Sequence, residues 1–136
     1  MIETIAGIIV AVLIIVLSEI LSKYFPKKLI AATILVAIAF IYVGFSLKTN
    51  MVGFIILEVS VALFFYFLAL TGYTRNESLI AYGIMLHGLW DIIHHQGLMV
   101  QTDIPGYWPS FCLVIDIISG FYFYKTFSRR GRITKI

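Results

Sequence analysis

The chain has 136 residues, of which 61% are hydrophobic and only 12% charged, with a net charge of +3. A soluble domain carries about twice that charged fraction, so this composition, with a mean hydropathy of +1.01, excludes a water-soluble globule and leaves an integral membrane protein. A pI near 9.1 would suggest nucleic acid to a soluble protein. Here no nucleic-acid partner is expected, because basic residues between apolar segments act as topology signals.

Five apolar segments follow in chain order, at about 4–22, 29–47, 51–71, 78–97 and 109–127. Each is about 20 residues, enough to cross a bilayer at about 1.5 Å per residue. Lys, Pro, Gly, Asn or Asp bounds each one, as helix ends require. Met1-Ile2-Glu3 lacks a basic leader and no small-x-small site closes the first run, so that segment is expected to stay as a helix. No polar linker is long enough to divide the chain. The expected fold is all-α, a single polytopic bundle of five transmembrane helices over 1–136, multi-pass in the cell membrane. The one cysteine, Cys112, rules out an intramolecular disulfide and a multi-cysteine zinc site.

Charge sets the expected orientation. Nine basic residues (Lys23, Lys27, Lys28, Arg75, Lys125, Arg129, Arg130, Arg132 and Lys135) fall on one side, against Lys48 alone on the other. The positive-inside rule then places the N-terminus outside and the C-terminus in the cytoplasm. The basic tail, 128–136, reads as an anchor against anionic headgroups.

The fourth segment carries His87-Gly88-Leu89-Trp90-Asp91-Ile92-Ile93-His94-His95. At about 100° per residue, His87, Asp91, His94 and His95 fit within an arc of about 100°, one face of a helix. Ionisable side chains are costly in hydrocarbon, so a face carrying four of them calls for partners, water or a metal. Counting inward from the ends of the third and fifth segments places Glu58 and Asp116 at about the same depth, roughly 10 Å from the outer surface. Glu58, His87, Asp91, His94, His95 and Asp116 are therefore expected to share one layer in the outer half of the bundle. Glu19 belongs to the opposite end, where Lys23 at i+4 is its expected partner. Cys112, Asp116 and Ser119 share a face; Cys112 is expected to pack and Ser119 to bond its own helix backbone. Tyr66, Tyr82, Trp90 and Tyr122 are aromatic residues that could line a cavity.

Three chemistries suit such a layer. His and carboxylate together suit a divalent metal, zinc, iron or manganese, with His87, Asp91, His94, His95, Glu58 and Asp116 as candidate ligands. Without a metal, Glu58, His87, Asp91 and Asp116 form proton donor and acceptor pairs for acid–base catalysis. The five-helix sterol-isomerase fold is similar in helix count and in holding His and acidic residues inside its bundle, an analogy of fold alone. A proton or metal-ion pathway uses the same residue types. It would also need polar groups through the whole depth, and a chain of this size would have to form a homo-oligomer. Interhelical glue is the bland alternative, at about 1 kcal/mol per contact; six groups in one layer exceed what glue needs. The expected function is a membrane-embedded enzyme on a lipophilic, lipid or isoprenoid-like substrate, among membrane lipids; the alternative is a proton- or metal-ion-coupled transporter or ion-binding protein.

His87-Gly88-x-Trp90-Asp91-x-x-His94, Ile41-Tyr42-Val43-Gly44, Glu58 and Trp108…Phe111-Cys112…Asp116 together resemble a family of small prokaryotic integral-membrane proteins of unknown function. The resemblance implies a shared site and carries no activity.

Overall fold

The structure, a computed structural model, describes residues 1–49, 51–94 and 104–133, with side chains as far as Arg129. Its elements are five helices: α1 (Ile2–Leu21), α2 (Lys27–Ser46), α3 (Val52–Thr74), α4 (Ser78–His94) and α5 (Trp108–Ile133). There is no strand among the described residues. Four of the five, all but α4, are long and apolar enough to cross a membrane. The 17 described residues of α4 amount to about 25 Å of helix, close to a hydrocarbon core of about 30 Å. Large apolar side chains cover the outside of the bundle, among them Ile9, Leu13, Phe64, Phe67 and Leu89. An outer surface of that kind is stable against acyl chains rather than water. The chain is a multi-pass membrane protein.

Contacts fix the topology. Tyr42 meets Asp91 and Leu35 meets Gly83, so α2 and α4 run parallel. Glu58 meets His94 while Gly72 meets Ile80, so α3 and α4 are antiparallel. Gly88 lies against Asp116 and Gly120 against Met85, so α5 runs against α4, and Gly7 against Val114 sets α1 alongside α5. The result is an up-and-down bundle with α4 in contact with α2, α3 and α5, and α1 packed on α5 and only sparsely on α2.

Two glycines allow the close approach of α4 and α5. A Cβ on Gly120 would stand 2.5 Å from Met85 Cγ, and one on Gly88 would stand 3.2 Å from Asp116 Cβ. Small residues let membrane helices meet at backbone distance, where packing rather than a hydrophobic effect holds them. One end of the bundle is filled by Ala31, Leu35, Phe65, Ile80, Ile84 and Phe123, with Phe127. The other end holds the buried polar side chains.

The helix limits differ from the sequence expectation in ways the chain explains. α3 runs to Thr74 instead of 71, because Gly72 faces Ile80 of α4 and tight packing there rewards a continued helix. α5 runs to Ile133 instead of 127, carrying the helix into the basic tail, since Arg is a strong helix former. Pro109 sits in its first turn, where a missing N–H costs nothing. The last part of the fourth segment, 95–97, lies outside the described residues.

Candidate functional site

α4 builds the site because its buried face continues unbroken along the helix. Ile80, Ile84, His87, Asp91 and His94 follow one another at helical spacing and are all buried. The face changes chemistry between Ile84 and His87 without changing direction. α2, α3 and α5 each contribute side chains at the same level: Tyr42, Glu58 and Asp116, all fully buried.

The polar groups form two linked pairs and a bridge. His87 Nδ1 is 2.7 Å from Asp116 Oδ2, joining α4 to α5. His94 Nε2 is 2.7 Å from Glu58 Oε1, joining α4 to α3. The Tyr42 hydroxyl donates to Asp91 Oδ1 at 2.6 Å, and the Tyr42 ring stacks on His94 with centroids 4.2 Å apart. Trp90 Nε1–H donates to the other oxygen of Glu58 at 3.3 Å.

The histidines are not equivalent. His94 Nδ1 lies 3.1 Å from the Trp90 carbonyl oxygen, which can only accept, so Nδ1 carries the proton. With Nε2 engaged by Glu58, both ring nitrogens of His94 are spent. His87 uses Nδ1 alone; its Nε2 is buried without a hydrogen-bond partner among the described residues, and so is Asp91 Oδ2. A buried polar atom without a partner costs about 1–3 kcal/mol, so these two atoms mark where the layer is incomplete. Among the described residues, His87, Asp91 and Asp116 each place one donor atom within 4.8 Å of one from each of the others, a spacing close to that of ligands around one metal ion.

Beside this trio lies a cavity of about 170 Å³ lined by Ile14, Ile38, Ile41, Tyr42, His87, Trp108, Phe111, Cys112, Ile115 and Asp116. Its walls are almost wholly apolar, and it sits at the seam where α1 and α2 barely touch. Ile14, Ile38 and Ile41 are half-buried, so the seam reaches the outside of the bundle. Trp108 adds an indole N–H that is buried and has no acceptor among the described residues.

The structure thus brings Glu58, His87, Asp91, His94 and Asp116 into one layer, while His95 lies outside the described residues. Tyr42 is a site residue that charge and spacing did not single out; it entered only within the Ile41-Tyr42-Val43-Gly44 stretch of the family resemblance, and the α2–α4 register shows its partner. Two expectations are corrected. Glu19 pairs not with Lys23 but with Lys27, both carboxylate oxygens lying 2.7 Å from Nζ, because Lys23 falls in the turn after α1 and is exposed. Ser119 does not bond its helix backbone; its hydroxyl is buried without a partner among the described residues. Cys112 stands in the cavity wall, and of the four aromatics named from the sequence Trp90 touches the layer, whereas Tyr122 bonds Glu19.

A search of curated proteins and one of solved structures each gave no match to the chain. A family model described as "Family of unknown function (DUF6010)" matches residues 2–129, nearly the whole bundle including every described site residue. The chain belongs to that family of unknown function.

Proposed function

We propose that the protein is a membrane-embedded enzyme of the cell membrane that acts on a lipophilic, lipid or isoprenoid-like molecule. The observation that carries this reading is the apolar cavity with His87 and Asp116 in its wall. A cavity of about 150 Å³ holds a benzene-sized group, so this one suits the end of a hydrocarbon chain or a branched isoprenoid unit. The seam between α1 and α2 offers a sideways entry from lipid. His87 and Asp116, 2.7 Å apart, are placed to exchange a proton, and Asp91 and Glu58 with His94 supply further donors and acceptors beside them. The Trp108 N–H is available to a polar oxygen on the substrate.

Energetics support a working site over glue. An interhelical polar contact in a membrane stabilises by about 1 kcal/mol, whereas each ionised side chain at depth costs about 2.5–3.5 kcal/mol. A layer of three carboxylates and two imidazoles is a poor means of holding helices together. The apolar core beyond Ile84 weighs against a conducting path. The basic residues, concentrated at the end away from the site apart from Lys48, favour a site in the outer half with the C-terminus in the cytoplasm.

The test is turnover. Purified protein is reconstituted with membrane lipid extract and the lipids are followed by mass spectrometry, with a His87→Ala variant alongside. A lipid species that shifts in mass or retention with the wild type and not with the variant is the expected result. No change in any lipid, together with proton or metal-ion flux in sealed vesicles, would overturn the enzyme reading in favour of transport.

A further inference from the structure

We propose that His87, Asp91 and Asp116 hold one divalent transition-metal ion, and that Glu58 and His94 stand outside its coordination shell. The inference deepens the enzyme reading and rests on it only for the role of the cavity.

Four observations converge on the trio. One donor atom from each residue lies within 4.8 Å of the others, and ligands about 2.0–2.2 Å from a single ion sit no more than about 4.4 Å apart. Small side-chain shifts therefore complete the shell. Asp91 Oδ2 is a fully buried carboxylate oxygen with no partner among the described residues. The other oxygen of that carboxylate is held by the Tyr42 hydroxyl at 2.6 Å, the outer-shell support that orients metal-ligating carboxylates. Finally, two carboxylates and a neutral imidazole need a charge of about +2 beside them at this depth, and the hydrogen bonds of the trio among the described residues go to Tyr42 and to one another, not to Lys or Arg.

The partition follows from hydrogen-bond accounting. His94 has committed Nδ1 to the Trp90 carbonyl and Nε2 to Glu58. Glu58 has one oxygen on His94 and the other on the Trp90 indole. Recruiting either to a metal would break the buried bond that joins them, and neither belongs to the group of residues whose donor atoms lie within 4.8 Å of one another. The trio also gives up one bond, but its donor atoms are already gathered. The cation replaces the single proton shared by His87 Nδ1 and Asp116 Oδ2, which passes to solvent, and the two atoms part from 2.7 Å to about 3 Å or more as ligands of one ion. Two carboxylates with one imidazole suit manganese, iron or zinc rather than a soft ion. Three protein ligands leave a coordination position open, as catalytic metal sites do, and His87 and Asp116 both border the cavity.

Elemental mass spectrometry of the full chain in detergent tests this. Metal-stripped protein is loaded in turn with zinc, manganese and, without oxygen, iron, and then desalted. The expected result is about one ion per chain in the wild type, a loss of at least about tenfold in affinity for Asp91→Asn and Asp116→Asn, and retention in Glu58→Gln. The same ion should raise the melting temperature of the stripped wild type and not that of Asp91→Asn, which separates loss of binding from failure to fold. A wild type that stays metal-free with all three ions overturns the inference, and so does a Glu58→Gln variant that loses metal as completely as Asp91→Asn. Either result leaves the lipid assay to decide the enzyme reading, and failure of that assay leaves a bound metal standing.

Discussion

The bundle contains two clusters of the same ingredients, a carboxylate, a nitrogen base and a tyrosine hydroxyl, near opposite ends. At one end Tyr122 and Lys27 both bond Glu19, tying α5, α2 and α1 together. At the other Tyr42 bonds Asp91 while His87 bonds Asp116. The Glu19 side chain is 51% exposed and Asp91 is 0% exposed. In the first cluster both carboxylate oxygens are satisfied and a permanent cation balances the charge. In the second, Asp91 Oδ2 and His87 Nε2 have no partner among the described residues, and the base is an imidazole whose charge can change. The complete, half-exposed cluster is a clasp. The incomplete, buried one has capacity left over for a ligand or a reaction, and depth makes that capacity costly to keep.

The sharpest way to break the comparison is at His87. Its replacement by alanine removes one group of the proposed acid–base set and one of the three proposed metal ligands. Turnover of the lipid substrate should fall by about 10²–10⁴-fold, the usual share of a positioned acid or base. A variant with nearly full turnover would return the buried cluster to the status of a second clasp. The next effect in size belongs to Tyr42, which touches Asp91 from α2 and positions it. Tyr42→Phe keeps the ring against His94 and deletes only the hydroxyl. Metal affinity should drop by about 10–100-fold, with the melting temperature of the metal-free protein moved far less. A purely structural role for Tyr42 would give the reverse pattern.

Gly88 sharpens the comparison from the packing side. A methyl group there meets Asp116 Cβ at 3.2 Å and a Leu113 methyl at 3.3 Å, so α4 and α5 must part by a few tenths of an ångström. Gly88→Ala should cost about 1–3 kcal/mol in overpacking, read by denaturation in detergent, and should also weaken metal binding by loosening His87 from Asp116. Loss of stability with metal affinity untouched would mean that the trio does not depend on the α4–α5 spacing.

How much of this was legible in the sequence differs between the two clusters for a physical reason. The five helices could be read because a membrane span needs a long apolar run, and the face shared by His87, Asp91 and His94 because helical spacing is local. Common depth for Glu58 and Asp116 followed from rise per residue. What is not local did not show. His94 is spent because it reaches both the carbonyl four residues back and a carboxylate on α3, and no spacing rule counts used ring nitrogens. Six candidate ligands therefore looked alike from the sequence, and three-dimensional accounting separates the trio from the Glu58–His94 pair. Glu19 illustrates the same limit: i+4 spacing favours Lys23, but the helix ends at Leu21 and the turn delivers Lys27 instead.

That clasp supplies the smallest and most discriminating effect. Glu19→Gln keeps an oxygen for Tyr122 and for Lys27 and removes one charge from a pair open to water or headgroups. Exposed ion pairs are worth about 0.2–1 kcal/mol, and salt screens them further. The melting temperature should shift slightly, the shift should shrink at high salt, and metal content and lipid turnover should match the wild type. The logic is that a satisfied cluster near the surface can be weakened without consequence for an unsatisfied one about two helical turns away along α5. If Glu19→Gln instead lowered turnover as His87→Ala does, the two clusters would be energetically joined through α5. The buried layer would then have to be read as one end of a path across the membrane rather than as a site with a floor.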